Sequence, residues 1–126
     1  MSFEAILQSI VDDCGGGRSA ALMGLDGIAI AEARASAGID REDPLEGDVT
    51  SAGVEFGRIL GEMRKASDTL GAGKVREAVL SLDRATIVFH SVDEDLILVV
   101  ALRPDGNLGK ARYLIRRALV DIRAEL

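Results

Sequence analysis

Few residues in this chain have the type and spacing for chemistry. Gly71-Ala72-Gly73-Lys74 echoes the end of a phosphate-binding loop, in which backbone N–H groups cradle phosphates and a lysine neutralises them. It departs from that motif at three points: Asp68 stands where a glycine is needed, Val75 where a serine or threonine is, and the pattern runs from helix to strand instead of strand to helix. Gly15-Gly16-Gly17 fails the dinucleotide fingerprint for the same topological reason. His90 is the only histidine and Cys14 the only cysteine, so an ordinary zinc site cannot assemble, and no disulfide can form within the chain. A lone histidine can act as a general base or a pH sensor, but without a partner constellation it reads as a satisfied strand residue. Asp40, Glu42, Asp43, Glu46 and Asp48 crowd one stretch, yet they lack the alternating ligands, central glycine and closing glutamate of a calcium loop. They read as a solvated acidic loop. No reaction, cofactor or metal is proposed by these residues, and the chain does not read as an enzyme.

Composition narrows the partners. Of 126 residues, 48% are hydrophobic and 29% charged, which is the balance of a folded domain with one core, expected to span residues 1–126. A net charge of −6 opposes a phosphate-backbone binder, and three Phe, one Tyr and no Trp leave little to stack on bases, so nucleic acid is not expected. The N-terminal MSFEAILQSIVDD carries acids and no basic leader, so a cytoplasmic location is expected.

The elements follow from periodicity. Phe3, Ile6, Leu7, Ile10, Val11 and Cys14 hold helical spacing, with Ser2 as N-cap and Gly15 to Gly17 as the stop. Arg18–Leu25 and Ile28–Arg34 flank Asp26-Gly27, a hairpin dipeptide whose two positions can both take positive φ. Lys74–Asp83 alternates like a half-buried or edge strand, and Ala85–Val92 follows across a turn. Leu96–Leu102, LILVVAL, is apolar on both faces and belongs at the centre of a sheet. Asn107 caps a last helix whose Leu108, Ala111, Ile115, Leu119, Ile122 and Leu126 share a stripe. The expected fold class is α+β, in the order α-β-β-α-β-β-β-α, with a five-stranded antiparallel sheet covered by helices.

The middle helix, Asp48 to Gly71, organises the rest. Val49, Ala52, Phe56, Leu60, Met63 and Leu70 form an apolar stripe suited to burial. Gly53, Gly57 and Gly61 form a second line at four-residue steps. Each interior glycine costs about 1 kcal/mol against alanine, so their alignment points to a backbone in close approach. Two readings stand: the glycines let the helix lie close to its own sheet, or they face a second helix across a dimer. Membrane insertion is not expected, because Glu55, Arg58, Glu62, Arg64 and Lys65 interrupt any apolar run.

Taken together, SAALMGLDGIAIAEA, the glycine-bearing helix, LILVVAL and the closing NLGKARYLIRRALVDI resemble the roadblock/dynein light chain family, most closely its bacterial branch, over nearly the whole chain. Leu25-Asp26 before Gly27 and the Leu108-Gly109 step match features of that family. The resemblance implies a roadblock/profilin-like fold and a homodimer in which the middle helix and the strand after it pair with their twins. It places Gly53, Phe56, Gly57, Leu60 and Gly61, with Val75, Glu77, Val79 and Ser81, at that interface. It also implies a docking platform for a small Ras-like GTPase, whose hydrolysis such dimers sometimes stimulate, with exposed Glu55, Arg58, Glu62 and Lys65 as contact candidates. A structural adaptor in a cytoskeletal or signalling assembly, independent of any GTPase, is the alternative. A small-molecule sensor is the third reading.

Overall fold

The computed structural model describes residues 2–35 and 49–126. The acidic stretch from Asp40 to Asp48 lies outside the described residues. The elements are α1 (Phe3–Asp13), β1 (Gly17–Gly24), β2 (Ala29–Arg34), α2 (Val49–Thr69), β3 (Glu77–Ser81), β4 (Thr86–Ser91), β5 (Leu96–Leu102) and α3 (Leu108–Glu125). The five strands form one sheet in the order β2-β1-β5-β4-β3, and every pairing is antiparallel. This is the expected α+β order and sheet.

β5 lies at the centre, as its two apolar faces require. Leu98, Val100 and Leu102 point into a core beneath α1 and α3, with Leu7, Ile10, Leu22, Val88, Ile115 and Ile122. Ile97, Val99 and Ala101 point to the other side, where Met23, Ile87, Phe89, Val49, Ala52 and Leu60 make a second core under α2. One strand thus nucleates both layers, since successive side chains alternate between faces.

Helix ends obey their caps. Ser2 Oγ accepts from Ala5 N–H at 3.1 Å, and Asn107 Oδ1 accepts from Lys110 N–H at 3.0 Å. The β1–β2 turn corrects the expected geometry. Only Gly27 has positive φ, at 90°, while Asp26 does not. Gly27 N–H donates to Gly24 O at 3.0 Å, so Leu25 and Asp26 are the turn's central residues and Gly27 follows them in the left-handed region. Asp26 Oδ1 accepts from Ile28 N–H at 3.0 Å and fixes that conformation.

On β2, Ala31 and Ala33 are buried in the core shared with α1, while Ile28 and Ile30 are exposed. β3 is shorter than Lys74–Asp83, beginning at Glu77.

Candidate interaction surface

α2 packs on the sheet over β1 and β5 and approaches β4 through Phe56, whose ring meets that of Phe89 edge-on at 6.1 Å between centroids. Leu60 is buried in the same core. Its fifth residue explains the close approach: a Cβ on Gly53 would overlap Met23 Sδ and touch Val99. Gly53 and Leu60 therefore face the sheet of their own chain, the first of the two readings of the glycine line. Gly57 and Gly61 are different, since nothing lies within 4 Å of a Cβ placed on either.

At ~100° per residue, Ile59 and Met63 fall on the flank nearly opposite Gly57 and Gly61. Both are large apolar side chains left open, 50% and 41% exposed. Sequence reasoning assigned Met63 to the buried stripe and passed over Ile59, because periodicity alone cannot tell a covered flank from an uncovered one. The glycine flank is tied to the rest of the fold by Arg64, which donates to Ser91 Oγ at 3.2 Å and to Glu94 O at 3.3 Å in the β4–β5 turn.

β3 is an edge strand, hydrogen-bonded to β4 alone. Ser91 N–H donates to Arg76 O and Leu82 N–H donates to Ala85 O, at 2.9 and 2.8 Å. Even-numbered residues thus turn their backbone groups to β4, and by alternation those of Glu77, Val79 and Ser81 point away from the sheet. Their side chains share the α3 face. Ala78 and Leu80 face α2, partly buried, with Val75 packed against the same core. On the α3 side, Arg112 Nη2 donates to Glu77 Oε1 at 2.7 Å.

The back of α2 carries the four charged candidates in two exposed i,i+3 pairs, Arg58–Glu55 at 3.5 Å and Lys65–Glu62 at 3.2 Å. Such surface pairs hold one another weakly and can exchange for a partner's charges. His90 is half-buried, with Nδ1 at 3.0 Å from Ser91 O. Among the described residues, no three His, Cys, Asp or Glu side chains gather as a metal site, and no helix is long and apolar enough to cross a membrane.

An all-antiparallel five-stranded sheet between one helix and a helix pair, with β3 at one edge and open apolar side chains on α2, is the architecture of a roadblock-type domain. Among solved structures, MglC from Myxococcus xanthus is 36% identical over 100% of both chains, with a TM-score of 0.68. A roadblock/LC7 domain from Streptomyces avermitilis superposes with a TM-score of 0.79 at 17% identity, covering 99% of this chain and 98% of that one. The gliding protein MglB from Thermus thermophilus matches with a TM-score of 0.75 at 20% identity, covering 91% of this chain and 81% of its own. No family model matches the sequence, and no curated protein does. The chain belongs to the roadblock/LC7 family, in the bacterial branch that holds MglB and MglC.

Proposed function

We propose that this protein is a non-catalytic, homodimeric regulator that docks a small Ras-like GTPase. One observation carries the dimer: the outward backbone groups of Glu77, Val79 and Ser81 end the sheet without a neighbouring strand, and α2 leaves the apolar side chains of Ile59 and Met63 open. An uncapped edge invites indiscriminate pairing unless one partner occupies it, and a second copy presents the same complementary edge. In this reading Val75, Glu77, Val79 and Ser81 pair with their twins, while Phe56, Ile59 and Met63 meet the twin helix. Gly57 and Gly61, which the resemblance placed at the interface, are put on the other flank of α2 in this reading, because at ~100° per residue they fall nearly opposite Ile59 and Met63.

The GTPase is the partner that the family resemblance implies, and the likeness to MglB and MglC supports it. Glu55, Arg58, Glu62 and Lys65 are its proposed contacts. An arginine finger would contribute about 10³–10⁵ in hydrolysis rate. Of Arg58, Arg64 and Arg112, Arg58 is the most easily released for that role, its exposed pair with Glu55 at 3.5 Å being weak, whereas Arg64 holds the β4–β5 turn and Arg112 holds Glu77.

The test has two parts. Light scattering is expected to report a dimer that Ile59→Glu with Met63→Glu converts to monomer, while Gly57→Leu leaves it intact. A pull-down with a small GTPase from a neighbouring gene, in GDP and transition-state-analogue forms, is expected to show nucleotide-dependent capture weakened by Arg58→Glu. Capture indifferent to nucleotide would favour the adaptor, and no capture would sink the GTPase reading.

A further inference from the structure

The chain is acidic, but α3 is not. It carries Lys110, Arg112, Arg116, Arg117 and Arg123 against only Asp121 and Glu125, in a chain of net charge −6. At ~100° per residue, Tyr113, Arg116, Arg117, Val120 and Arg123 share the outward arc, and both acids fall on the flank beyond it. Within that arc Tyr113 is 61% and Val120 68% exposed, so apolar and cationic groups alternate with no acid between them.

The arc borders an open cavity of about 1190 Å³ between α3, the C-terminal part of α2 with the segment leading from it into β3, and the β4–β5 turn, lined by Arg64, Asp68, Arg76, Arg116 and Arg123 among others. Most of the cavity's acids are already committed. Glu77 is held by Arg112, Glu94 by Lys74 at 3.5 Å, and Asp93 accepts from the N–H groups of Asp95 and Leu96 at 2.8 Å each. The cations are less so: Arg123 donates only to the neutral Val92 O, at 3.1 Å, while Arg76 and Arg116 have no ion-pair partner among the described residues.

We propose that the outer face of α3 and the cavity beside it bind an acidic polypeptide segment of a partner protein. Arginine clusters recognise acidic motifs through charge-assisted hydrogen bonds, and Tyr113 and Val120 supply apolar contact for side chains between the acids. The site is concave and larger than the usual ~300–1,000 Å³ of a small-molecule pocket, which suits a chain segment. A bilayer or a nucleic acid presents an extended field of negative charge, which the protein's own net charge opposes within a Debye length of ~8–10 Å. A short peptide engages the groove alone and largely escapes that repulsion.

Fluorescence anisotropy tests this with a fluorescein-labelled peptide of glutamates carrying one leucine per helical turn, and with its glutamine counterpart. The glutamate peptide is expected to bind the full chain at low salt, to weaken as salt rises, and to lose about tenfold or more in Arg116→Glu/Arg117→Glu. Arg76→Glu, on a different element, is expected to weaken binding as well, with circular dichroism confirming that both variants fold. Equal binding of the glutamine peptide, or glutamate binding indifferent to both variants, would overturn the proposal. So would an Arg116- and Arg117-dependent association with phosphatidylserine vesicles or a single-stranded oligonucleotide in place of the peptide.

Discussion

Arg112 of α3 grips Glu77 of the edge strand, Nη2 to Oε1 at 2.7 Å, and so ties the helix on one face of the sheet to the strand that ends it. The pair is partly closed to water, Glu77 being 16% and Arg112 41% exposed at the side chain, and Glu77 Oε2 and Arg112 Nε are buried without hydrogen-bond partners. Removing the cation leaves a carboxylate that water reaches poorly. Arg112→Met is expected to destabilise the fold by about 1–3 kcal/mol, less than a fully buried pair would lose. Adding Glu77→Gln to Arg112→Met should recover much of that loss, because the stranded charge is gone. Urea denaturation at one fixed protein concentration, arranged as a double-mutant cycle, measures the coupling; strictly additive losses would show that the two residues act independently.

The three aligned glycines of α2 should respond to alanine with opposite signs. At Gly57 and Gly61 the added methyl meets nothing within 4 Å, so only helix propensity changes, and each substitution is expected to stabilise by about 0.5–1 kcal/mol. At Gly53 the methyl collides with the thioether end of Met23, which is only 1% exposed and must shift within a packed core. Overpacking there costs about 1–3 kcal/mol and outweighs the propensity gain. Thermal unfolding of the three single variants separates the cases, and a rise in melting temperature for Gly53→Ala would refute the placement of that residue.

Those glycines also mark where the sequence stopped being legible. Element order, the central position of β5 and both N-caps followed from periodicity and cap chemistry, because LILVVAL has no polar face and Ser2 and Asn107 stand directly before helical stripes. Spacing located the glycine line but could not give the facing of each member. Gly53 sits above the sheet while the next two members of the line turn out from under its cover, because each four-residue step rotates about 40° around the helix. Ile59 was invisible for a related reason: one apolar residue off the stripe looks like ordinary surface until the fold shows Met63, one turn further on, open as well. The cationic face of α3 was present in the sequence as arginines off the apolar stripe. Its junction with Arg76 required the tertiary fold.

Asn107 closes the N-terminus of α3 and also joins α3 to the glycine turn after α1, through its own N–H to Gly15 O at 2.8 Å. The backbone bond survives any non-proline substitution. Asn107→Ala therefore removes the cap alone and is expected to cost about 0.5–2 kcal/mol, whereas Asn107→Asp should retain stability because a carboxylate also accepts from N–H groups and suits the positive end of the helix. Chemical denaturation of the two variants checks the contrast, and equal losses in both would mean that the side chain does more than cap.

Cys14 ends α1 with no solvent exposure, its Sγ 3.8 Å from Val11 O. Burial pushes its thiol above the ordinary 9.0, outweighing the backbone hydrogen bonds and Lys110, which pull the other way. The folded state therefore holds the thiol proton more tightly than the unfolded chain does. The resulting stability is fully present below the unfolded value of 9.0 and is lost as pH rises through the folded one. Unfolding free energy of the native protein should accordingly decline in alkaline solution by more than that of Cys14→Ala, which has no thiol to ionise. At pH 8 a thiol-reactive disulfide reagent should label the native protein far more slowly than the urea-unfolded chain, because the thiolate is scarce and enclosed. Prompt labelling of the folded protein would place Cys14 at an accessible surface and contradict both expectations.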